Sequence, residues 1–261
     1  MRAPALSPGS EAQPDLAAGE VHLWWIGREM SVGAAAAARS TVSASEQARA
    51  SRMRNVIARE HFLLQHHALR EILGAYVGLP PQALAFEFNP FGKPALAARQ
   101  GGNGLSFNLS RSGAAAVLAV ARHGRIGVDL ERLRPVPEID TIARRMFSPA
   151  EAQALAGTPP GERCARFLRV WTAKEAIVKA LGGGLSIALD AFDIDHPADA
   201  RPTISRWQLD AHPLGNLRLV PVPPIPDYVI ALAADTPAQG CRLLHWPGDP
   251  EWPKRPSGLA R

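Results

Sequence analysis

The stretch IGVDLE at 126–131 decides how the middle of this chain folds. Apolar residues alternate there with a glycine and two acids, and a period of two is typical of a strand with one buried face. Side chains alternate between the faces of a strand, so Asp129 and Glu131 share one face while Val128 and Leu130 point into a core. The stretch therefore predicts a strand that presents two neighbouring carboxylates.

A third acid follows in WTAKEAIVK at 171–179, where Glu175 and Lys179 are four residues apart. In a helix, that spacing stacks the two side chains on one face. If this face meets the strand, three carboxylates converge beside a lysine, and they repel each other unless a cation holds them. Oxygen ligands with room for water suit Mg²⁺, which usually shares its remaining positions with phosphates. The pattern indicates phosphate chemistry; alternatively, the acids line a solvated strand edge and Glu175–Lys179 is an ordinary surface pair.

The composition is that of a folded protein with an anionic partner. Its 261 residues suit one large domain or two domains of about 100–130 residues. The net charge of +5 fits a nucleic acid, an acidic protein or a phosphorylated cofactor, but no run of lysine and arginine with interleaved aromatics supports nucleic acid. Cys164 and Cys241 lie far apart without a C-x-x-C pair, so neither zinc nor a disulfide framework is indicated.

The sequence shows no signal for export or for membrane insertion. The first 20 residues lack an apolar region behind basic residues, which a secretory signal would have. No stretch approaches the roughly 18 consecutive apolar residues of a membrane-spanning helix. We therefore expect a cytoplasmic protein with no membrane partner.

The order of the predicted elements indicates an α+β fold with two similar lobes in one chain, each with helices packed on a small antiparallel sheet. Residues 1–20 are rich in Ala, Pro and Ser and are expected to form a disordered tail. The predicted N-terminal lobe spans 21–123. The predicted C-terminal lobe spans 124–246 and carries the acidic motifs, and a flexible tail is expected at 247–261.

Periodicity predicts the main elements of both lobes. The longest helix is expected over 43–77, with Ser45 as its cap. Further helices are expected near 138–156 and 162–181, and the glycines at 182–184 end the second of these. Alternation or short apolar runs predict strands at 21–26, 85–88, 105–110, 114–120, 126–131, 191–195, 204–209, 217–220 and 228–233.

Four motifs in order resemble one enzyme family. They are GKP at 92–94, FNLSRSG at 107–113, GVDLE at 127–131 and WTAKEAIVKALGGGL at 171–185. Together they are similar to the 4′-phosphopantetheinyl transferases, in particular the large, pseudo-dimeric class (the surfactin-synthetase-activating type) that activates nonribosomal peptide and polyketide synthases. The resemblance extends over roughly 43–233. It implies that the phosphopantetheine arm of coenzyme A, the co-substrate, is transferred to a serine of an acyl or peptidyl carrier protein, leaving 3′,5′-ADP.

The resemblance also implies roles for the acids. Asp129, Glu131 and Glu175 would hold Mg²⁺, which bridges the diphosphate and neutralises charge on the leaving phosphate. Lys179 would contact a diphosphate oxygen as a point charge. The carrier serine needs a base, for which Glu151 in the RMFSPAE segment, Glu175 and a metal-bound water are alternatives.

Residues of the N-terminal lobe are implied to bind coenzyme A. Those expected to contact its phosphates or adenine are Arg49, Arg52, Lys93, Pro94, Ser110 and Arg111. The Ser110 hydroxyl and the Arg111 cation could both face phosphate oxygens. Two positions depart from the family: Arg111 stands where histidine is usual, and His66 stands where related chains often carry arginine. Arginine keeps a positive charge, and its planar guanidinium can bind a phosphate through two hydrogen bonds. Unlike histidine, it does not take up or release a proton, so phosphate binding can survive while the pH dependence of the site changes.

The basic balance fits an acidic carrier protein, because opposite charges steer the approach of the two proteins. Arg144, Arg145, Met146 and Phe147 mix charge with apolar bulk and suit a docking patch, unless Met146 and Phe147 are simply buried. No nucleic acid partner is expected. A monomer is expected, since the resemblance implies that both halves lie in one chain.

Two other functions are open at this point. Because arginine replaces the usual histidine at position 111, the protein could be a non-catalytic module that binds coenzyme A or the carrier protein. The presence of all three carboxylates argues against this function. Net charge alone motivates an anion-binding or nucleic-acid-associated protein.

Overall fold

A computed structural model describes residues 14–27, 32–100, 104–195, 202–235, 237 and 240–246. It confirms an α+β fold of helices and small sheets. The helices are α1 Val32–Thr41, α2 Ala44–Ser51, α3 Val56–Val77, α4 Ile139–Met146, α5 Pro149–Ala156 and α6 Pro160–Leu181. Within these described ranges, no helix combines the length and the apolar character needed to cross a bilayer.

The strands form two main sheets and two smaller pairs. They are β1 Val21–Ile26, β2 Phe86–Phe88, β3 Pro94–Leu96, β4 Leu105–Ser112, β5 Ala115–Arg122, β6 Ile126–Arg132, β7 Phe192–Asp195, β8 Thr203–Trp207, β9 Arg218–Val220, β10 Tyr228–Ala234 and β11 Arg242–His245. The first sheet has the order β11-β1-β5-β4, and the second has the order β6-β10-β9. The pairs are β2-β3 and β7-β8. Each predicted strand is confirmed, with its ends moved by no more than two residues.

Strands β1 and β11, near the two ends of the described chain, both lie in the first sheet. The sequence does not predict β11, a strand of four residues that pairs in parallel with β1. Residues 242–245 therefore do not belong with the second sheet. Within the expected N-terminal tail, Leu16 is buried and its carbonyl oxygen accepts a hydrogen bond from Nε of Arg122 at 2.9 Å. Residues 14–20 are thus part of the fold, while the expected tails at 1–13 and 247–261 lie outside the described residues.

The predicted long first helix is wrong, because the chain forms α2 and α3 with a break between them. Ser43, not Ser45, caps α2: its side chain accepts the Glu46 amide, and the Glu46 carboxylate accepts the Ser43 amide. Asn55 caps α3. Asparagine favours caps over helix interiors, since its side chain competes for backbone hydrogen bonds. A capping residue also divides the helix predicted near 138–156 into α4 and α5, because Ser148 caps α5.

The apolar core between the two sheets fixes the acidic strand. Val128 and Leu130 of β6 are buried, as predicted, in one cluster with Leu23 and Trp25 of β1. Helix α3 covers the opposite face of the first sheet through a second cluster. The acids of β6 therefore project from its other face, away from the core.

Helix α6 contacts β6 at Gly127, at a distance that a side chain would prevent. A Cβ at this position would come within 2.1 Å of the Ala176 carbonyl oxygen and 2.3 Å of the Ala180 amide nitrogen. Glycine allows such a close approach of two backbones. This contact places α6, with Glu175 and Lys179, beside the strand that carries the other two acids.

Candidate active site

Asp129, Ser110 and Lys179 form a hydrogen-bonded group at the junction of β6, β4 and α6. Nζ of Lys179 lies 2.7 Å from Oδ1 of Asp129 and 2.9 Å from Oγ of Ser110. The Ser110 hydroxyl donates to the same carboxylate oxygen at 2.9 Å. Asp129 is 5% exposed, and its Oδ2 is buried without a hydrogen-bond partner. A buried polar atom without a partner is costly, so a cation or a donor beside Oδ2 would stabilise the site.

Glu131 and Glu175 share the electrostatic environment of Asp129. Burial, and after it the negative charge of Asp129, raises the pKa of Glu131 and the pKa of Glu175. The positive charge of Lys179 acts in the opposite direction on both groups. The three acids therefore lie close enough for their charges to repel, which a nearby cation would relieve.

A preformed metal site is not present among the described residues, where no three His, Cys, Asp or Glu side chains form a group that could hold a metal ion. The chemistry of the donors nevertheless suits a hard cation such as Mg²⁺, which prefers carboxylate oxygens. The unpaired, buried Oδ2 of Asp129 is a ligand atom of this kind.

A cavity of about 520 Å³ opens beside this group. Glu175 and Lys179 line it, together with Pro94 of β3 and Arg145 and Met146 of α4. Its apolar and glycine walls include Phe91, Val178, Gly182, Gly184, Ile187 and Leu189. Lys93 and Asp190 also line the cavity, which therefore offers both charged and apolar contacts and suits a ligand with both kinds of group.

Lys93 and Asn89 hold the β2-β3 pair against the end of α6. Nζ of Lys93 donates to the carbonyl oxygens of Ile126 at 2.9 Å and Ala180 at 3.2 Å. Nδ2 of Asn89 donates to the carbonyl oxygen of Gly182 at 2.8 Å. Burial lowers the pKa of Lys93 to about 8. The ammonium group that the resemblance assigns to a phosphate is thus bonded to the backbone of β6 and α6.

Two arginines flank the ring of Phe62 in α3. The guanidinium carbon of Arg49 lies 5.4 Å from the ring centroid, and that of Arg111 lies 5.5 Å from it. The His66 ring lies against the same ring in a tilted arrangement, with 4.1 Å between centroids. Both positions that depart from the family therefore contact Phe62. Arg52 is exposed and makes no side-chain hydrogen bond or ion pair within the described part of the chain.

Glu46 orients His66 from α2. Nδ1 of His66 lies 2.8 Å from Oε1 of Glu46, whose Oε2 accepts a bond from Nε of Arg70 at 2.7 Å. Burial lowers the pKa of His66 although Glu46 opposes the shift, and Arg111 and Arg49 lower the pKa further. Burial and the two arginine charges therefore favour the uncharged form of His66.

Ser110 and Arg111, both expected to face phosphate oxygens, contact different parts of the protein. They are neighbours on β4, so their side chains point to opposite faces of the strand. Arg111 reaches Phe62 of α3, whereas Ser110 reaches Asp129 of β6.

Glu151, a candidate base, is bonded within the fold by both of its carboxylate oxygens. Its Oε2 accepts the Ser148 amide at 3.0 Å and pairs with Nζ of Lys174 at 2.8 Å. Its Oε1 accepts the Ile194 amide at 2.9 Å. Lys174 is fully buried and also donates to two backbone carbonyl oxygens. Both oxygens of Glu151 are therefore occupied, and Glu175, which lines the cavity, is the better candidate.

The expected docking patch is only partly exposed. Phe147 is buried and stacks on Phe167, and Met146 is half-buried among apolar residues. Arg144 and Arg145 of α4 are exposed. The charged half of the patch is thus available to a partner, whereas Phe147 belongs to the core.

The sequence reasoning missed two polar residues beside the acids. Ser112 donates to Oε2 of Glu131 at 3.1 Å, and Oδ1 of Asn108 accepts the Val128 amide at 2.8 Å. The signal was present, because Asn108, Ser110 and Ser112 alternate along FNLSRSG and must share one strand face.

Comparison with known proteins identifies the family of this chain. Residues 125–233 match the family model of the 4′-phosphopantetheinyl transferase superfamily. The 4′-phosphopantetheinyl transferase HetI of Nostoc sp. is 39% identical over 167 residues, which are 64% of this chain and 70% of that protein. A 4′-phosphopantetheinyl transferase of Bacillus subtilis is 31% identical over 180 residues, 69% of this chain and 78% of that protein.

Likeness to solved structures is weak. The Thermotoga maritima holo-[acyl-carrier-protein] synthase matches with a TM-score of 0.33 and 19% identity, over 42% of this chain and 61% of that one. The conclusion therefore rests on sequence. The matched segment contains β6 and α6 with all three acids, and the relatives extend the match over about two thirds of the chain. This chain belongs to the 4′-phosphopantetheinyl transferase superfamily.

Proposed function

We propose that this protein transfers the 4′-phosphopantetheine arm of coenzyme A to a serine of an acyl or peptidyl carrier protein, with Mg²⁺. The serine oxygen forms a bond to the phosphorus that carries pantetheine, and the bond from that phosphorus to the bridging diphosphate oxygen breaks. 3′,5′-ADP leaves. The site must therefore supply positive charge to the leaving phosphate and an acceptor for the serine proton.

Asp129, Glu131 and Glu175 would hold the Mg²⁺, which when bound supplies positive charge to the phosphates. The unpaired Oδ2 of Asp129 and the raised pKa of both glutamates support this assignment. Lys179 supplies a second positive charge, and its bonds to Asp129 and Ser110 hold it beside the cavity. Glu175, which lines the cavity, is our candidate for the proton acceptor.

The residues that line the cavity support a binding mode for coenzyme A. We propose that the diphosphate lies at the end lined by Lys179, and that the pantetheine arm extends along the apolar wall near Val178 and Ile187. Arg49 and Arg111 offer two cations for a further phosphate group, because both are held on Phe62.

The finer organisation is also a proposal. Two similar lobes would meet near 121–125, around the β5-β6 connection, and β11 would return from the second lobe to the first sheet. Carrier domains of nonribosomal peptide or polyketide synthases are the proposed clients. Action as a monomer in the cytoplasm stays a prediction from the sequence.

The observation that carries the proposal is the Asp129–Lys179 ion pair beside a cavity that Lys179 and Glu175 line, in a chain of this superfamily. The test is to incubate the protein with coenzyme A, Mg²⁺ and several apo carrier proteins, and to measure the intact mass of each carrier. We expect a carrier to gain the mass of the arm with the parent protein but not with Asp129→Ala. No mass gain with any carrier, from a folded parent protein, would overturn the proposal.

A second candidate function is binding of coenzyme A or carrier protein without catalysis, and Arg111 favours it. However, the family usually has histidine at position 111 and often has arginine at position 66, and this chain has the two residue types the other way round. Arg111 and His66 both contact the Phe62 ring, so the same pair of side chains is present with the positions exchanged. We expect an active parent, a weaker Arg111→His variant and partial recovery in Arg111→His with His66→Arg. A silent parent that Arg111→His alone revives would instead indicate a decayed enzyme.

A further inference from the structure

Side chains of β4 close the free edge of β6. Strand β10 pairs with one edge of β6 over the whole length of the strand. On the other edge, alternate amides donate to β4 side chains: Val128 N to Oδ1 of Asn108 at 2.8 Å, Leu130 N to Oγ of Ser110 at 3.2 Å, and Arg132 N to Oγ of Ser112 at 3.0 Å. We call Asn108, Ser110 and Ser112 the side-chain ladder.

The ladder replaces a neighbouring strand. Unpaired backbone amides at a buried sheet edge are costly, and they are normally satisfied by backbone carbonyls. Here the acceptors are side chains of every second residue of β4. Every second amide of β6 points to its unpaired edge, so the two spacings match. Lys93 continues the pattern at the start of β6, since its Nζ donates to the Ile126 carbonyl oxygen at 2.9 Å.

The hydrogen-bond directions around Ser110 are determined by its neighbours. The Leu130 amide and the Lys179 ammonium can only donate, so both bonds use acceptor capacity of the Ser110 oxygen. The hydroxyl hydrogen must then point to Oδ1 of Asp129, the third neighbour. All three bonding directions of the Ser110 hydroxyl are therefore in use, and Asp129 is held by one oxygen.

Ser112 repeats this arrangement one step along the strands. Its oxygen accepts the Arg132 amide, which leaves the hydroxyl hydrogen for Oε2 of Glu131 at 3.1 Å. Oε1 of Glu131 accepts no hydrogen bond from the described residues. Each of the two acids thus has one oxygen fixed by a ladder hydroxyl and one oxygen without a hydrogen bond from the described residues.

We propose that the side-chain ladder positions the carboxylates of Asp129 and Glu131 for the cation, and that Ser112 and Asn108 are positioning residues of the active site. Its backbone bonds fix the register of β6, and its hydroxyls fix the rotamers of the acids. The catalytic consequence rests on the proposed function. The structural consequence, protection of the β6 amides, does not.

The first experiment tests the ladder without enzyme activity. Hydrogen exchange of the Val128 amide is measured by NMR in the parent, in Asn108→Ala and in Ser106→Ala. Ser106 lies on the same strand face but makes no side-chain hydrogen bond within the described residues. We expect roughly tenfold faster exchange in Asn108→Ala only, because the amide loses its acceptor. Equal exchange in all three proteins overturns the ladder.

The second experiment tests positioning of the acid. The Mg²⁺ concentration that gives half of the full thermal shift, and the one that gives half of the full transfer rate, are measured for Ser112→Ala, Ser112→Thr and Ser106→Ala. We expect both concentrations to rise about tenfold in Ser112→Ala, since partners of metal ligands typically affect metal affinity to this extent. Ser112→Thr keeps the hydroxyl and should restore both values, while Ser106→Ala should match the parent.

The outcomes separate the two proposals. If Ser112→Ala responds to Mg²⁺ as the parent does, the positioning role is wrong while the proposed function stands. If the parent shows neither a Mg²⁺-dependent shift nor transfer, the proposed function fails, and the amide exchange alone decides the ladder. A lower melting temperature in Ser112→Ala with an unchanged Mg²⁺ midpoint would indicate a merely structural hydroxyl and would also overturn the positioning role.

Discussion

The ammonium group of Lys179 lies 2.7 Å from Oδ1 of Asp129, and this ion pair joins α6 to β6 beside the cavity. The Lys179 side chain is 28% exposed, whereas that of Asp129 is 8% exposed. The lysine can therefore contact a ligand in the cavity while it fixes the orientation of the buried acid. Lys179 can therefore act both in ligand binding and in orienting Asp129.

Replacement of Lys179 by methionine should reduce kcat/KM for transfer by about 100-fold or more, since groups that stabilise developing charge contribute on this scale. The melting temperature should also fall, because the largely buried Asp129 loses its cationic partner. Steady-state transfer assays and thermal melts check both statements. Lys179→Arg, which keeps the charge, should retain more activity than the methionine variant. A methionine variant as active as the parent would remove Lys179 from the mechanism.

Glu151 should matter for stability and not for chemistry. Glu151→Gln breaks a buried ion pair with Lys174, and loss of one partner in such a pair typically costs about 3–5 kcal/mol of unfolding free energy. Adding Lys174→Met should recover part of this loss, because no buried charge is then left unpaired. Urea unfolding measures the stability, and transfer rates are compared at temperatures where each variant is folded. An inactive Glu151→Gln protein with parental stability would restore Glu151 as the base.

Gly127 should tolerate no side chain. In Gly127→Ala, the new Cβ meets the α6 backbone at 2.1 Å, so helix and strand must separate. Overpacking of this kind costs about 1–3 kcal/mol. The matched control is Gly161→Ala at the start of α6, where a Cβ has no atom within 4 Å and where alanine is the better helix former. Thermal melts that show equal stability for both variants would contradict this account of the close contact.

A fall in pH should destabilise the folded protein, partly because His67 resists protonation in the folded state. This side chain is 4% exposed, its Nδ1 has no hydrogen-bond partner, and its ring meets the edge of Trp246 at 5.5 Å. Burial lowers the pKa of His67 below 6.5, although Glu71 opposes the shift. As the pH falls through 6.5, the unfolded chain binds a proton that the folded protein does not, so the unfolding free energy decreases.

The corresponding variant is His67→Phe. Its melting temperature should fall less than that of the parent between about pH 7.5 and about pH 5. Some acid sensitivity should remain, because burial also lowers the pKa of His22 and of His66. Identical pH profiles for the two proteins would show that His67 is protonated with little cost in the folded state.

Much of the local structure follows from the sequence, because local periodicity encodes it. Alternation in IGVDLE and the helical spacing in WTAKEAIVK predict β6 and α6, and both are confirmed. The four ordered motifs also indicated the family, and the comparisons confirm it. The break at Asn55 was readable as a cap but was overridden by the apolar periodicity on both sides of it.

By itself, the sequence determined which chemical groups the site contains and on which strand and helix they lie. Only the tertiary structure decided what those groups bond to: Lys93 to backbone carbonyls, Glu151 to Lys174, and Ser112 to Glu131. The pairing of β11 with β1 was likewise decided by packing. The physical reason is that a secondary-structure pattern depends on neighbours a few residues apart, whereas a hydrogen-bond partner depends on which distant segments the core brings into contact.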